Sequence, residues 1–231
     1  MKLSTVATTI TLLESEHSQL KSPRWARRKE SRPGEVLSAA LDLFVEHGFA
    51  STRLEDVATR AGVSKGTLYL YFKNKEELFK AVVRESIVPL IEEFADEIKV
   101  STQSNDDLVK LFFQQWWVRF GSTQLAGLCK LIMSEAGNFP DLAIFFQQEV
   151  IEQNNQLLLT IVQRGIDAGD YHAVNLDVAI HLWMAPLVLH TIWGNSVARC
   201  LPDTPVHDEL YVAMHTEFVL ASLKISKTPK Q

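Results

Sequence analysis

The chain has 231 residues, of which 22% are charged and 46% hydrophobic. These proportions are typical of a globular protein and exclude a fibrous or largely disordered one. No run of 18 apolar residues occurs, and Ser4, Thr5 and Thr8 interrupt the apolar opening, so neither a transmembrane helix nor a signal peptide is expected. We therefore expect a cytoplasmic protein of one or two domains that has no contact with a membrane.

The charge is distributed unevenly along the chain. Residues 1–80 contain 13 Lys or Arg and 10 Asp or Glu, a net charge of +3, whereas the remaining residues contain 10 and 18, a net charge of −8. This asymmetry indicates a nucleic-acid-binding module that is joined to an acidic regulatory one.

Residues 1–30 lack apolar periodicity, and we expect a disordered basic extension there. A cluster of basic residues lies just before the first predicted helix: Lys21, Arg24, Arg27, Arg28, Lys29 and Arg32. They form either a solvated tail or an arm that contacts phosphates or the minor groove of DNA. The first helix is predicted to run from Pro33, a favourable first-turn residue, to His47, and Gly48 to end it.

Two short helices are predicted next, in the segment 52–78. Thr52 and Glu55 have the spacing of a capping box, which predicts a helix start. Gly62 is suited to end that helix in the left-handed conformation, and Ser64 to cap the next one. The second helix is short, and its first turn is polar, as in a helix-turn-helix whose second helix enters the major groove.

The segment from Gly48 to about Phe79, which includes AGVSKGTLYLYFKNKEEL, resembles the signature of the TetR/AcrR family of bacterial transcriptional regulators. More loosely, the segment from Leu128 to Ile151 resembles the C-terminal domain of AefR-like members. The resemblance implies a helix-turn-helix domain over residues 31–80 and a helical effector-binding and dimerisation domain over residues 81–226. The residues that it places for DNA contact are Arg53, Ser64, Lys65, Gly66, Thr67, Tyr69, Leu70, Tyr71, Lys73 and Lys75.

Within that set, individual roles follow from the residue types. Lys65 and Gly66 occupy positions that read base edges in the family, while Arg53, Lys73 and Lys75 are suited to neutralise phosphates. Leu70 departs from the polar or aromatic residue that is often found there. It has no hydrogen-bond donor, so it contacts a thymine methyl group or contributes nothing to specificity.

The rest of the chain is predicted to be helical. Asn74 is a candidate cap for a helix from Lys75 to about Val100, and Pro89 is predicted to kink it, either as a hinge between domains or as a bend without a regulatory role. Ser104–Asp107 has the pattern of another capping box. Further helices are predicted near 123–136, 141–168, 176–197 and 206–225, and no alternating strand pattern is present. The expected fold is all-α, with about nine helices.

The predicted helix 108–120 is apolar on nearly every face, which indicates burial in the middle of its domain. Its aromatic side chains are either ordinary core or the wall of a ligand pocket, with Gln114, Gln115 and Arg119 as polar groups that orient the ligand. Together with candidates from later helices, the predicted ligand-binding residues are Phe112, Phe113, Trp116, Trp117, Phe120, Met133, Trp183 and Met184.

In the family the last two long helices form a four-helix dimer interface. The resemblance therefore implies a homodimer, and the predicted interface residues are Leu187, His190, Thr191, Gly194, Leu210, Met214 and Phe218. A two-fold dimer places its recognition helices about one DNA turn apart, which matches a near-palindromic operator.

No pattern for catalysis or cofactor binding is apparent. His181 and His190 are nine residues apart and fall on opposite helix faces, which disfavours a metal site. Cys129 and Cys200 lie in apolar sequence without CxxC spacing, which favours buried free thiols over a disulfide or redox sensor. The resemblance implies a repressor that a small apolar ligand releases from DNA. The alternatives are a C-terminal domain that binds a protein partner or no effector, and an activator.

Overall fold

The computed structural model describes residues 24–201 and 208–224, with the backbone alone for residues 24–32. The first four helices are α1 (Arg24–Ser51), α2 (Leu54–Arg60), α3 (Lys65–Tyr71) and α4 (Lys75–Ser86). They are followed by α5 (Val88–Val100), α6 (Asn105–Trp116), α7 (Gly127–Glu135), α8 (Pro140–Phe146), α9 (Glu152–Asp167), α10 (Leu176–Gly194) and α11 (Asp208–Leu223). Because α4 with α5, and α8 with α9, follow each other as single interrupted helices, the described residues form nine helical segments in an all-α fold, as predicted.

Two π-helical turns interrupt the helices of the C-terminal domain. The first, Trp117–Gly121, continues α6, and the second, Gln147–Ile151, joins α8 to α9. Short 3₁₀ segments lie at Gln124–Ala126 and Val197–Cys200. In the described ranges the only extended pairing is an isolated bridge between Tyr171 and Lys224.

The predicted end of the first helix is confirmed, but its start is not. Gly48 has φ 81° and ψ 168°, a conformation that is essentially restricted to glycine, and α1 bends there. The helix begins at Arg24 rather than Pro33, because residues 24–30 are mostly strong helix formers. The rest of the predicted disordered extension, residues 1–23, lies outside the described residues, as do the side chains of its basic cluster.

The predicted capping box at Thr52 is wrong. The N-cap of α2 is Arg53, which makes no side-chain cap. The buried Thr52 hydroxyl instead donates to the Leu43 and Gly48 carbonyl oxygens, at 3.1 and 2.7 Å. The helix starts later than predicted because this hydroxyl satisfies carbonyl groups at the end of α1.

The other predicted caps are confirmed. Ser64, Asn74 and Ser104 each accept a hydrogen bond from the backbone N–H three residues later. Gly62 adopts φ 65° at the end of α2. The predicted helix 75–100 is interrupted at Ile87, and Pro89 lies in the first turn of α5, where its missing N–H leaves no hydrogen bond unmade.

Helix α10 is the most apolar of the long helices. Together with the following 3₁₀ turn, the segment Leu176–Cys200 is long and apolar enough, by length and composition alone, to cross a membrane. In the fold it packs against α7, α9 and α11. Both cysteines are free thiols, but Cys200 is exposed rather than buried.

A polar cluster connects Lys224, the residue that follows α11, to the start of α6. The Asp106 carboxylate accepts hydrogen bonds from the Tyr171 hydroxyl, at 3.0 Å, and from the Lys224 ammonium. Burial alone would raise the pKa of Asp106, but the hydrogen bonds from Lys224 and Tyr171 outweigh it and lower that pKa.

Asp106→Asn is expected to lower the free energy of unfolding by about 1 kcal/mol at pH 7, since one charge-assisted partner is lost. Because the folded-state pKa of Asp106 is lowered, its contribution is present above the ordinary value of 3.8 and is lost as pH falls through the lower folded value. Urea unfolding of both proteins at pH 7 and about pH 3.5 measures this. An equal difference at both pH values would contradict the role of the carboxylate.

Candidate nucleic-acid interface and ligand cavity

Helix α3 presents a polar and aromatic surface to solvent. Leu68 is fully buried and anchors the helix to the core, while Tyr69, Leu70 and Tyr71 are 42%, 84% and 45% exposed. Lys65 and Gly66 are also exposed, and Thr67 is half-buried with its hydroxyl 2.8 Å from the Ser64 hydroxyl. A short exposed helix that is held by one buried side chain is suited to enter a DNA groove.

Lys65 connects the two helices of this motif. Its ammonium lies 2.5 Å from the Glu55 carboxylate of α2 and 5.6 Å from the centre of the Tyr69 ring. The hydrogen bond between them lowers the pKa of Glu55 and raises that of Lys65. Lys65 is therefore fully charged at neutral pH, and it lies beside the ring predicted to contact the bases.

The other predicted phosphate contacts differ in their surroundings. The side chains of Arg53 and Lys73 are exposed. Lys75 is not free to bind phosphate in this structure, because its ammonium donates to the carbonyl oxygens of Phe49 and Ala50, at 2.6 and 3.0 Å. It also lies 4.5 Å from the centre of the Phe49 ring, and burial lowers its pKa. Lys75 thus caps the end of α1.

The C-terminal domain contains an apolar cavity of about 420 Å³. This volume lies in the range of pockets that hold drug-sized ligands. Five of the predicted residues line it: Phe112, Trp116, Phe120, Met133 and Met184. Predicted polar groups at Gln115 and Arg119 line it as well, whereas Gln114 is exposed and lies outside the lining.

Three predicted ligand-binding residues lie in the core instead. Phe113 packs edge-on against His215, Trp117 lies against His190, and the Trp183 indole donates to the Ser222 hydroxyl at 3.1 Å. Each is the sequence neighbour of a cavity residue, and successive residues of a helix are about 100° apart. The aromatic doublets are therefore divided between cavity and core.

Sequence reasoning missed part of the cavity wall. Helix α5 contributes Leu90, Ile91 and Phe94, whose helical spacing with Ile87 was a usable signal. Polar groups also come from helices that no aromatic run marks: Asn154, Asn155 and His181. Cys129 faces the same space, and burial raises the pKa of its thiol to about 12, so it is an unreactive wall residue.

The predicted dimer face is apolar and exposed on α11 but differs on α10. Leu210, Met214 and Phe218 are 57%, 65% and 68% exposed and lie four residues apart. On α10, Leu187 and Thr191 are buried within the protomer, and His190 is half-buried with Nε2 2.8 Å from the Asp208 carboxylate. Gly194 is exposed.

The exposed apolar stripe of α10 consists of other residues, namely Val178, Leu182, Leu189 and Trp193. An almost wholly apolar helix gives no polar face to identify its exposed side, which is why the sequence did not separate the buried Leu187 and Thr191 from this exposed stripe.

Comparison with known proteins finds similarity to transcriptional regulators. The family model for bacterial regulatory proteins of the tetR family matches residues 36–82. The fatty acid metabolism regulator protein of Bacillus subtilis (strain 168) is 27% identical over 154 residues, covering 66% of this chain and 77% of that protein. The transcriptional repressor KstR2 of Mycolicibacterium smegmatis is 25% identical over 211 residues, covering 90% and 98%.

Among solved structures, the fold is similar to that of the transcriptional regulator FadR from Bacillus subtilis in complex with stearoyl-CoA. The TM-score is 0.69 at 20% sequence identity, over 82% of this chain and 98% of that one. Residues 36–82 thus match the DNA-binding domain of the tetR family, and a repressor matches the chain along nearly its whole length, so the chain is similar to DNA-binding transcriptional regulators of that family.

Proposed function

We propose that this protein is a cytoplasmic homodimeric repressor, which a small, largely apolar ligand releases from a near-palindromic operator. The cavity is the observation that carries the proposal. Its walls are mainly aliphatic and aromatic, and they include Ile87, the residue at which α4 of the DNA-binding domain passes into α5. A ligand there contacts the connection between the two domains directly.

The lining also indicates the kind of ligand. Gln115, Asn154, Asn155 and His181 face the cavity, and among the described residues their side chains make no hydrogen bond to protein groups. An amphipathic molecule satisfies both the apolar walls and these polar groups. Long-chain acyl compounds belong to this class, and the Bacillus subtilis FadR structure contains stearoyl-CoA, so we propose acyl compounds as the first ligands to test.

Burial of an acyl chain supplies enough free energy to shift the protein from one conformational state to the other. Shifting a two-state equilibrium from 1:99 to 99:1 requires a preference of about 10⁴, or roughly 5.5 kcal/mol, for one state. Burying a methylene group contributes about 0.8 kcal/mol. About seven methylene groups that are buried only in the DNA-incompetent state therefore suffice.

The cavity is tested by placing a charge in its wall. Leu90→Asp is expected to abolish release of operator DNA by stearoyl-CoA, since an acyl chain cannot compensate a desolvated carboxylate. Val100→Asp is the matched control: it lies on the same helix and is 80% exposed. Fluorescence anisotropy of labelled operator, with coenzyme A alone as the ligand control, measures release. Equal release from Leu90→Asp and wild type would place the ligand elsewhere.

The DNA surface is tested at α3. Tyr69→Ala is expected to weaken operator binding by about 1–3 kcal/mol and to relax specificity at the bases that the ring contacts. Competition between the operator and single-base variants, measured at one salt concentration, checks both effects. Unchanged affinity would show that α3 is not the helix that reads the bases.

A further inference from the structure

Buried apolar residues of this protein form two separate clusters, and their boundary does not coincide with the boundary between the domains. The first core combines the DNA-binding helices with α7, α8 and the second π turn; its buried residues run from Val36 to Ile87 and from Phe120 to Val150. The second core contains buried residues from Phe94 to Trp117 and from Leu158 to Leu223. About a third of the buried apolar residues beyond residue 80, 11 of 31, therefore share a core with the DNA-binding helices.

Direct contacts attach the DNA-binding helices to the segment that runs from the 3₁₀ turn Gln124–Ala126 to the second π turn. The Gln124 amide donates to the Asp42 carboxylate at 2.7 Å, and the Ala50 N–H donates to the Glu135 carboxylate at 3.2 Å. Further contacts join the Phe49 and Phe139 rings, with centroids 4.8 Å apart, and the Arg84 guanidinium and Glu149 carboxylate, at 2.8 Å.

Few polar contacts connect the two cores, and their apolar contacts include those of α7 with α10 and of Trp116 with both clusters. Between described residues, the side-chain hydrogen bonds that link the two regions are those of Arg119 with Glu97 and Gln147 with Glu152. Both Arg119 and Gln147 lie in the segments where the chain passes from one core to the other.

The chain passes between the cores three times, and each passage is irregular. The first is the break between α4 and α5 at Ile87; the second is the π turn Trp117–Gly121; the third is the π turn Gln147–Ile151. Irregular turns within helices are common at functional sites and hinges. Each passage also contributes to the cavity, through Ile87, Phe120 and Ile151 respectively.

We propose that the first core moves as one rigid body against the second core, that the three irregular passages are its hinges, and that the ligand cavity is the seam between the two bodies. This rests on the proposed effector role of the cavity. The DNA-binding domain then moves together with α7 and α8, rather than swinging on α4 alone. A close-packed core transmits displacement with little deformation, so widening the seam changes the position of α3.

A disulfide between α1 and α7 distinguishes these two motions. A Cβ atom at Gly127 would lie 3.2 Å from the Val45 Cβ, slightly below the disulfide spacing of about 3.5–4.5 Å, so a small shift of α1 or α7 allows the bond. Val45→Cys with Gly127→Cys, in a Cys200→Ser background, therefore locks the DNA-binding domain to α7 in the oxidised protein and frees it on reduction. Variants without a substitution at position 129 keep Cys129, because the raised pKa of its thiol makes it unreactive.

A wedge in the seam replaces the ligand in this experiment. Cys129→Phe extends a ring into the cavity from α7, and Cys129→Ala is its matched control. Ala185→Phe, from α10 on the other wall, serves if Cys129→Phe does not fold. DNA affinity is measured on an operator that the wild-type protein selects from a random library.

The wedge is expected to change operator affinity at least about fivefold relative to Cys129→Ala, the lower end of common allosteric couplings. The same change is expected in the oxidised, locked protein. An effect that oxidation abolishes and reduction restores would overturn the proposal, because the DNA-binding domain would then have to move relative to α7. Folded wedge variants without any effect would overturn it as well.

The result of the wedge experiment does not depend on which ligand the protein binds. Failure of stearoyl-CoA to release DNA, with a working wedge, would reject the acyl ligand and leave the two-body motion standing. Release by stearoyl-CoA that is lost only in the oxidised protein would support the proposed function and reject the two-body motion.

Discussion

Phe218→Asp is expected to separate the dimer and to weaken operator binding about 100-fold or more, because a desolvated, unpaired charge costs several kcal/mol. Phe218 is the last residue of the exposed apolar stripe of α11 that Leu210 and Met214 begin, and it is 68% exposed in the protomer. A two-fold dimer contains two copies of the substitution, so two carboxylates are placed in the same interface. Monomers then bind half-sites singly and lose the affinity that comes from linking two sites.

Ile144→Asp is the matched control for this prediction. Ile144 is 54% exposed on α8 and belongs to neither the α10–α11 surface nor the cavity lining. Sedimentation velocity and operator anisotropy on both variants measure assembly and DNA affinity together. A Phe218→Asp protein that sediments as a dimer would place the interface on another surface, as would loss of the dimer in Ile144→Asp.

Lys75→Met is expected to lower the free energy of unfolding by about 2–3 kcal/mol, since a hydrogen bond to a charged group contributes about 1.5–3 kcal/mol and the second of the two that this ammonium makes is exposed to solvent. The change leaves the Phe49 and Ala50 carbonyl groups at the end of α1 without their donor. Little effect on the salt dependence of DNA binding is expected, because the ammonium is directed at protein carbonyl groups.

Lys73→Met provides the comparison two residues away. The Lys73 side chain is exposed, so its loss is expected to change stability by less than about 0.5 kcal/mol. It is expected to lower the salt slope of DNA binding by about 0.9 for one phosphate contact. Urea unfolding and operator titrations at several salt concentrations check the pair. The reverse assignment, with Lys75 changing the slope and not the stability, would contradict the capping role.

The sequence predicted those parts of the structure that local chemistry determines. Ser64, Asn74 and Gly62 each satisfy a requirement set within a few residues, so the helix boundaries at these positions followed from residue type. Thr52 has the same local signal as Ser64 but uses its hydroxyl on Leu43, nine residues earlier. A cap and a tertiary hydrogen bond compete for one hydroxyl, and the tertiary fold decides between them.

The cavity was predicted only in part for a related reason. Phe112 and Phe113, or Trp116 and Trp117, are equivalent by composition, and only the rotation of α6 within the bundle separates wall from core. On α10, the rotation of that helix likewise decides that Leu187 is buried while Leu189 is exposed. Lys75 shows the converse problem, since a lysine beside a DNA-binding helix has the same sequence signature whether it meets a phosphate or a carbonyl group.

The most direct test is a titration of the purified protein against the DNA upstream of its own gene, at two salt concentrations and with excess competitor DNA. Sequence-specific recognition predicts binding that survives the competitor, weakens with salt and falls in Tyr69→Ala. If binding vanishes with competitor, selection from a random library is expected to recover a near-palindromic sequence. Failure to enrich any sequence would contradict the account of α3 as a base-reading helix.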